Sequence, residues 1–337
     1  MATLSLCMIV KDEERFLRSC LDSVKDIADE IIIVDTGSTD RTKDIAARSR
    51  AKVFDFKWNN DFSAARNFSL KKATSNWVLV MDADEMLDAG GRSEVTRLIN
   101  TREHCLKGSI GFKIQQRTYN PKGGDKGAEP TADAKTLSEK YDGYQSSSLV
   151  RLFRNSPKIL FRNKVHELVE PSIRENSGEI LESSIVLHHF SLLKKDKLHS
   201  KAADYADLMW KQLEQEPDNP RYNRQVALVF LDKGSKDLAL KYFMRTLKLD
   251  PNHPGIFADL GRLFVDLKQP KKAIRYFNMA IAKDKNDISS LNNLAVLYMN
   301  FGKKDIAKKI LEMALEKEPK NKAALSNYEI LKKKTSK

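Results

Sequence analysis

The chain has 337 residues, enough for two domains, and its 41% hydrophobic fraction excludes a largely disordered polypeptide. No apolar run approaches the ~20 residues that a membrane-spanning helix needs. The 59 basic and 46 acidic side chains give +13, a charge that draws polyanions without distinguishing nucleotides from nucleic acids or acidic membranes.

Residues 1–195 alternate strand-like runs with helical patterns. TLSLCMIV opens as a strand with no basic lead-in, which predicts a folded start and not a signal peptide. A helix follows over Glu13–Ile27, then the strand EIIIVDTG, a helix over Thr39–Arg50, the strand AKVFDF, a helix over Ser63–Ala73 and the strand WVLVMDAD. Near-continuous Val/Ile/Leu strands joined by helical crossovers predict a parallel sheet covered on both faces. Such sheets bind ligands beyond the carboxyl ends of their strands. Two of these strands end there in acids. Residues 118–147 are polar and rich in small residues, and they predict a long mobile loop able to close over a ligand. SSLVRLFRN, ILFRNKVHELVE and SSIVLHHFS then predict three further strands. Cys7, Cys20 and Cys105 share no paired spacing, which predicts buried thiols in a reducing, cytoplasmic setting and no zinc site.

From residue 196 the pattern is helical with a period of 34. Ala227, Gly261 and Ala295 fall in register, as do Ala239, Ala273 and Ala307, then Phe243, Phe277 and Leu311. Small residues at fixed positions allow paired helices to approach closely, and the large ones pack on the next pair. This pattern resembles tetratricopeptide repeats. It predicts a lead-in helix over 196–217, repeats over 220–253, 254–287 and 288–321, and a capping helix over 322–334, within a domain of residues 196–337.

Asp82 and Asp84, one residue apart past a strand end, can turn both carboxylates into one crevice. That is the oxygen-rich set that Mg²⁺ or Mn²⁺ takes when phosphates complete its shell. Asp35 stands at the end of another strand, before the VDTGSTDRT turn, where a carboxylate can accept from a nucleotide base or ribose. Gly37 supplies the tight turn and Ser38 or Thr39 the helix cap.

Taken in order, LSLCMIVKDEERFLRSCLDSV, DEIIIVDTGSTDRT and DFSAARNFSLKKATSNWVLVMDADE resemble the nucleotide-binding half of family 2 glycosyltransferases over roughly residues 1–100. VRLFRN, FRNKVHELV and LHHFS are similar to a subgroup that couples this domain to tetratricopeptide repeats and includes peptide and protein glycosyltransferases of the sublancin type. The resemblance implies an α/β GT-A (Rossmann-like) nucleotide-sugar domain followed by an all-α repeat solenoid. It implies a nucleotide-sugar donor, commonly a UDP-sugar, and inversion at the anomeric carbon. Asp35 would hold the base, with the backbone around Val10 and Asp12 bordering the nucleotide. Asp82 would contact ribose or metal, Asp84 would ligate the metal, and Arg66 would balance phosphate charge. Thr36 stands where the family has a second acid, which leaves the role of Asp35 intact and removes a second base contact.

Transfer also needs a group that takes the acceptor's proton. Glu167 is the first candidate and His166 the second. Strand alternation lets only one of them face the sugar. One of His188 and His189 can complete the metal shell, and Arg151 and Arg154 can serve phosphate or acceptor. A repeat solenoid suits a peptide or protein acceptor, and its ends also offer a surface for dimerisation. Two alternatives remain: a transferase building cell-surface polysaccharide, and a repeat adaptor that has lost catalysis. No nucleic-acid motif accompanies the basic charge, and the Lys-rich tail lacks interleaved aromatics, so nucleic acid is not an expected partner.

Overall fold

The computed structural model describes residues 1–106, 110–121, 141–190, 198–319 and 321–333. The chain divides into two compact units, Met1–Tyr205 and Ala206–Lys337.

The first unit is built on one eight-stranded sheet. Its strands are β1 (Leu4–Val10), β2 (Glu30–Asp35), β3 (Lys52–Asp55), β4 (Trp77–Val80), β5 (Glu85–Leu87), β6 (Ile110–Pro121), β7 (Tyr141–Arg154) and β8 (Glu179–His189). They lie in the order β3-β2-β1-β4-β7-β6-β8-β5. The chain steps outward from β1 to β3 and returns to the other side of β1 with β4. This leaves a topological switch point between β1 and β4, where open α/β sheets bind ligands. β1 to β4 are mutually parallel, whereas β4 meets β7 antiparallel, so the expected parallel sheet is a mixed one. Long antiparallel strands account for the change, since β6 and β7 pair along most of their length. Both faces of β1 are buried: Leu4, Leu6, Met8 and Val10 enter one core cluster, and Cys7 joins Ile32, Val78 and Val80 in another. Continuous apolar runs at β1, β2 and β4 follow from that double burial.

Two expectations are corrected. Residues 118–121 and 141–147, read as loop, belong to β6 and β7, because their backbones pair in register despite polar side chains; the rest of the expected loop, 122–140, lies outside the described residues. ILFRNKVHELVE is not a strand. Arg162 and Leu168 form a single bridge around a turn in which Asn163 and His166 take positive φ, and a short helix follows at Glu170–Glu175.

Glu30 fastens the amino ends of the strands. Its carboxylate accepts from the Ser5 hydroxyl at 2.6 Å, from the backbone N–H groups of Thr74 and Ser75, and from Lys52 at 3.0 Å. Burial opposes its charge, but these donors outweigh burial and bring its pKa down to about 2. Cys7 and Cys20 are free and buried, and burial pushes the Cys7 thiol up to about 12 and that of Cys20 well above its ordinary value. Both are packing groups and not nucleophiles. The side chain of Cys105 lies outside the described residues.

A helix at Leu198–Gln215 runs across the division at residues 205–206, and in the second unit three antiparallel pairs follow: Pro220–Asp232 with Lys236–Leu249, Ile256–Asp266 with Pro270–Lys283, and Ile288–Asn300 with Lys304–Lys317, then Lys322–Lys333. The in-register residues are the buried ones: Ala227, Ala239, Phe243, Ala273, Phe277, Ala295, Ala307 and Leu311. A Cβ at Gly261 would sit 2.6 Å from the Phe277 ring, so glycine is required there.

Two stability outcomes follow. Gly261→Ala gains up to about 1 kcal/mol of helix propensity but forces a buried ring aside at a cost of roughly 1–3 kcal/mol, so the midpoint of thermal unfolding falls. For Glu30 the folded pKa lies below the ordinary 4.5, so its contribution is complete above pH 4.5 and is lost as pH falls toward 2. Glu30→Gln should therefore lower stability at pH 7, by at most about 3 kcal/mol, and flatten the acid limb of a urea-denaturation series over that window.

Candidate active site

The crevice at the carboxyl ends of β1, β2 and β4 is shaped by two turns. After β2, the Asp35 Oδ1 atom accepts from the N–H groups of Gly37 (2.9 Å) and Ser38 (2.8 Å), and Gly37 takes a φ of 108° that favours glycine. The other oxygen, Oδ2, is buried and has no hydrogen-bond partner among the described residues. Thr36 turns its hydroxyl back to the Val10 carbonyl at 3.1 Å, so it adds no second group to the crevice. Asp12 joins the two loops: its N–H donates to the Ser38 hydroxyl, and its carboxylate accepts from the N–H of Thr39 at 2.8 Å. Val10 and Asp12 thus border the crevice with their backbone while the Asp12 side chain holds the turn.

After β4, the chain makes the Asp82–Glu85 turn. The Glu85 N–H donates to the Asp82 carbonyl, and the Glu85 Oε2 atom accepts from the Asp82 N–H at 2.7 Å. Glu85 is fully buried; its Oε1 atom accepts from Gln116 on β6, and Arg151 on β7 lies 4.0 Å away. Burial foremost, with the negative charge of Asp82, raises its pKa. Glu85, one of four acids clustered after the strand, and Gln116 carry no site role in the sequence reading. They are the groups that fix the turn.

Asp82 stands between two guanidiniums, Arg66 at 2.6 Å on one oxygen and Arg151 at 3.2 Å on the other. Burial opposes its charge, but the two arginines outweigh that and hold its carboxyl far below the usual range. Arg66 is buried on the helix Phe62–Leu70, which Asp61 caps by accepting from the Ala64 N–H. It also donates from Nε to Glu167 at 3.0 Å, and its third nitrogen is buried without a partner among the described residues. Burial alone would lower the Arg66 pKa; the two carboxylates reverse this and raise it. Asn67, next along the helix, exchanges hydrogen bonds with the Phe161 backbone (3.0 and 2.8 Å), and the Phe62 N–H donates to the Lys164 carbonyl. These contacts dock the 161–168 turn on the helix and bring Glu167 to Arg66 across 101 residues of sequence. His166 sits beside Glu167 with an exposed side chain.

The histidines diverge by strand alternation. His189 places Nε2 3.5 Å from Asp84 Oδ2, with Nδ1 at 3.0 Å from the Thr118 hydroxyl. Burial would lower its pKa, but hydrogen bonding and charge from Asp84 raise it overall. His188 turns to the other side, where its Nδ1 atom meets the Tyr119 hydroxyl at 2.8 Å and its Nε2 atom lies 3.4 Å from Asp88. Asp84 and His189 are therefore the pair placed to share a cation, and His188 is not with them. An oxygen and an imidazole nitrogen suit Mn²⁺, with phosphate oxygens and water filling the other positions. Among the described residues no group of three or more His, Cys, Asp or Glu side chains is placed to hold an ion. Arg154 is also outside the site: it pairs with Trp77 at the opposite end of β4, its guanidinium 5.2 Å from that indole ring.

Removing the Glu85 carboxylate should leave the Asp82 N–H and the Gln116 NH2 group without that acceptor. Glu85→Ala is expected to cost about 2–3 kcal/mol and to speed hydrogen exchange at the Asp82 amide, read by urea unfolding and NMR.

Residues 5–156 match the family described as Glycosyl transferase family 2, and residues 224–253 and 288–321 match the tetratricopeptide repeat. A TPR repeat-containing protein of Synechococcus elongatus is 40% identical over 173 residues, which cover 51% of this chain and 37% of that protein. The SPbeta prophage-derived glycosyltransferase SunS of Bacillus subtilis is 29% identical over 247 residues, covering 71% of this chain and 53% of SunS. An uncharacterized glycosyltransferase of Rickettsia typhi is 27% identical over 220 residues, 63% of this chain and 68% of its own length. The chain spans about half the length, or less, of the first two relatives. With the switch-point crevice, its strand-end acids and the 34-residue helical period, these likenesses show a glycosyl transferase family 2 domain over residues 5–156, with tetratricopeptide repeats following.

Proposed function

We propose that the protein is a metal-dependent, inverting glycosyltransferase that moves a sugar from a nucleotide-sugar, a UDP-sugar in this reading, to a side chain of a peptide or protein acceptor held by the repeats. The observation that carries it is the buried Oδ2 atom of Asp35, at the carboxyl end of β2, which has no hydrogen-bond partner among the described residues. A buried carboxylate oxygen without a donor is costly. The imide N–H of uracil is a single donor that suits it, with the Gly37 turn holding the carboxylate in place.

In this reading the diphosphate lies toward Asp82 and Asp84. A divalent cation held by Asp84 and His189 would neutralise charge on the leaving diphosphate. Asp82 has both oxygens engaged by arginines and joins such a shell only by giving one up. Arg66 and Arg151 supply positive charge where the leaving group gains negative charge, in a partly buried setting that strengthens the effect. The acceptor heteroatom forms its bond to the anomeric carbon as the bond from that carbon to the phosphate oxygen breaks, and the electron pair leaves with the diphosphate. Glu167 takes the acceptor's proton; Arg66 occupies its Oε1 atom and orients the other oxygen. Among the described residues no helix is long and apolar enough to cross a membrane, which fits a transferase that meets its acceptor in water.

Calorimetric titration with UDP and GDP, with and without Mn²⁺, tests the donor half. Tight binding of UDP that depends on Mn²⁺ is expected, and Asp84→Ala should weaken it by about tenfold or more with the fold intact by circular dichroism. Failure of a folded sample to bind either nucleotide would sink the transferase reading.

A further inference from the structure

The excess of thirteen positive charges is not spread evenly over the protein. In the second unit the second helices of the three pairs carry twelve basic and four acidic side chains, whereas the first helices carry three of each. Three of the four acids are already engaged. Asp237 and Asp305 stand in first helical turns, where they complement the partial positive charge of the helix start, and Glu312 accepts from the Tyr328 hydroxyl at 2.9 Å. The cations recur in register. Lys241, Arg275 and Lys309 follow the 34-residue period, one on each second helix, and all three are exposed. Among the described residues none of them pairs with a carboxylate; Lys241 lies over the Tyr242 ring, 5.9 Å from its centre.

Apolar side chains are set among these cations. Leu238 and Met244 lie one turn to either side of Lys241, and Ile306 and Met313 one turn to either side of Lys309, each between 41% and 45% exposed. On the opposite side of the same helices Ala239, Phe243, Ala307 and Leu311 are buried, so the repeat core is filled without the exposed four. The Tyr276 hydroxyl of the middle pair reaches the Met244 sulfur at 3.9 Å, which sets neighbouring second helices side by side. Cations and apolar groups are thus interspersed over a surface that extends across three helices and along each of them.

We infer that this face of the second helices docks the protein on an anionic lipid surface, the cations meeting the headgroups while Leu238, Met244, Ile306 and Met313 enter the boundary with the acyl chains. An anionic leaflet offers both things the face presents, a plane of negative charge and an apolar layer just beneath it. A nucleic acid offers the first alone and leaves the four apolar side chains in water. The rings that could stack on its bases are turned to packing, Tyr242 against Phe230 and Tyr276 against Phe264. A two-dimensional array also matches a surface better than a strand, which follows a line. The attachment is peripheral, because no helix among the described residues is long and apolar enough to span a bilayer. The inference does not depend on the transferase reading: it concerns where the protein sits, not what it transfers.

The test is flotation of the full chain with vesicles of phosphatidylcholine alone and of phosphatidylcholine mixed with phosphatidylserine. Each basic side chain at such a surface contributes roughly a factor of five, so phosphatidylserine should raise the partition coefficient about a hundredfold or more. Raised salt should cancel the gain. Lys241→Gln, Arg275→Gln and Lys309→Gln together should remove most of it, with the fold intact by circular dichroism. Leu238→Ser with Ile306→Ser should weaken binding and leave its salt dependence unchanged. Equal partition of the unmutated protein onto the two vesicles, or none onto either, overturns the inference without reliance on any variant. Full binding by the folded triple variant overturns it as well. So does capture of a fluorescein-labelled single-stranded DNA that phosphatidylserine vesicles fail to displace.

Discussion

The first unit depends on one buried cation. Arg66 sits in the core side of the crevice and joins Asp82, at the end of β4, to Glu167, on a turn far along the chain. A guanidinium so placed must be surrounded by carboxylates, since a buried charge without them would be prohibitively costly. Its demand fixes two elements at once: the Asp82–Glu85 turn and the 161–168 turn have to converge on the helix Phe62–Leu70. Asn67 and the Asp61 cap hold that helix from either side of the same contact. Asp82 and Glu167 are therefore spaced by a single side chain, and moving it would disturb both.

Around this core the chain uses acids in four different ways within seven residues. Asp82 is presented to the crevice between arginines, Asp84 is turned to His189, and Glu85 is buried to hold the turn; Asp88 then caps the helix Ala89–Asn100 by accepting from the Gly91 N–H. Identical chemistry is given distinct roles by burial and by the partner each carboxylate meets. The sheet order supplies those partners, since Gln116, Thr118 and Tyr119 come from β6 and Arg151 from β7.

That dependence explains what could be read from the sequence. Asp35, Asp82 and Asp84 are legible because each follows directly on an apolar strand, a local pattern. The repeats are legible because small and large residues recur at a fixed step. The divergence of His188 and His189 follows from the period of a strand. By contrast, Glu85 looks like one more surface acid until β6 is laid beside β8. The placement of Arg154 depends on the antiparallel register of β7 on β4, which puts it at the wrong end. The 161–168 turn was misread as a strand because its apolar residues pack inward from a loop whose shape is set by Asn67, nearly a hundred residues earlier. Local signals reveal strand ends and repeats; non-local pairing decides which polar residue joins which site.

Both units place one carboxylate between two guanidiniums, with opposite exposure. At the crevice Asp82 is 32% exposed while Arg66 and Arg151 are 4% and 11% exposed, so the arginines are scaffold and the acid is the exposed member. In the repeats Asp259 is the buried scaffold, and Arg224 and Arg262 face outward. The buried member in each case bears the desolvation and fixes geometry, and the exposed member keeps its remaining hydrogen-bonding capacity for something that arrives. The same three-residue chemistry thus stands turned inside out in the two units, and burial alone decides which member is scaffold and which is exposed.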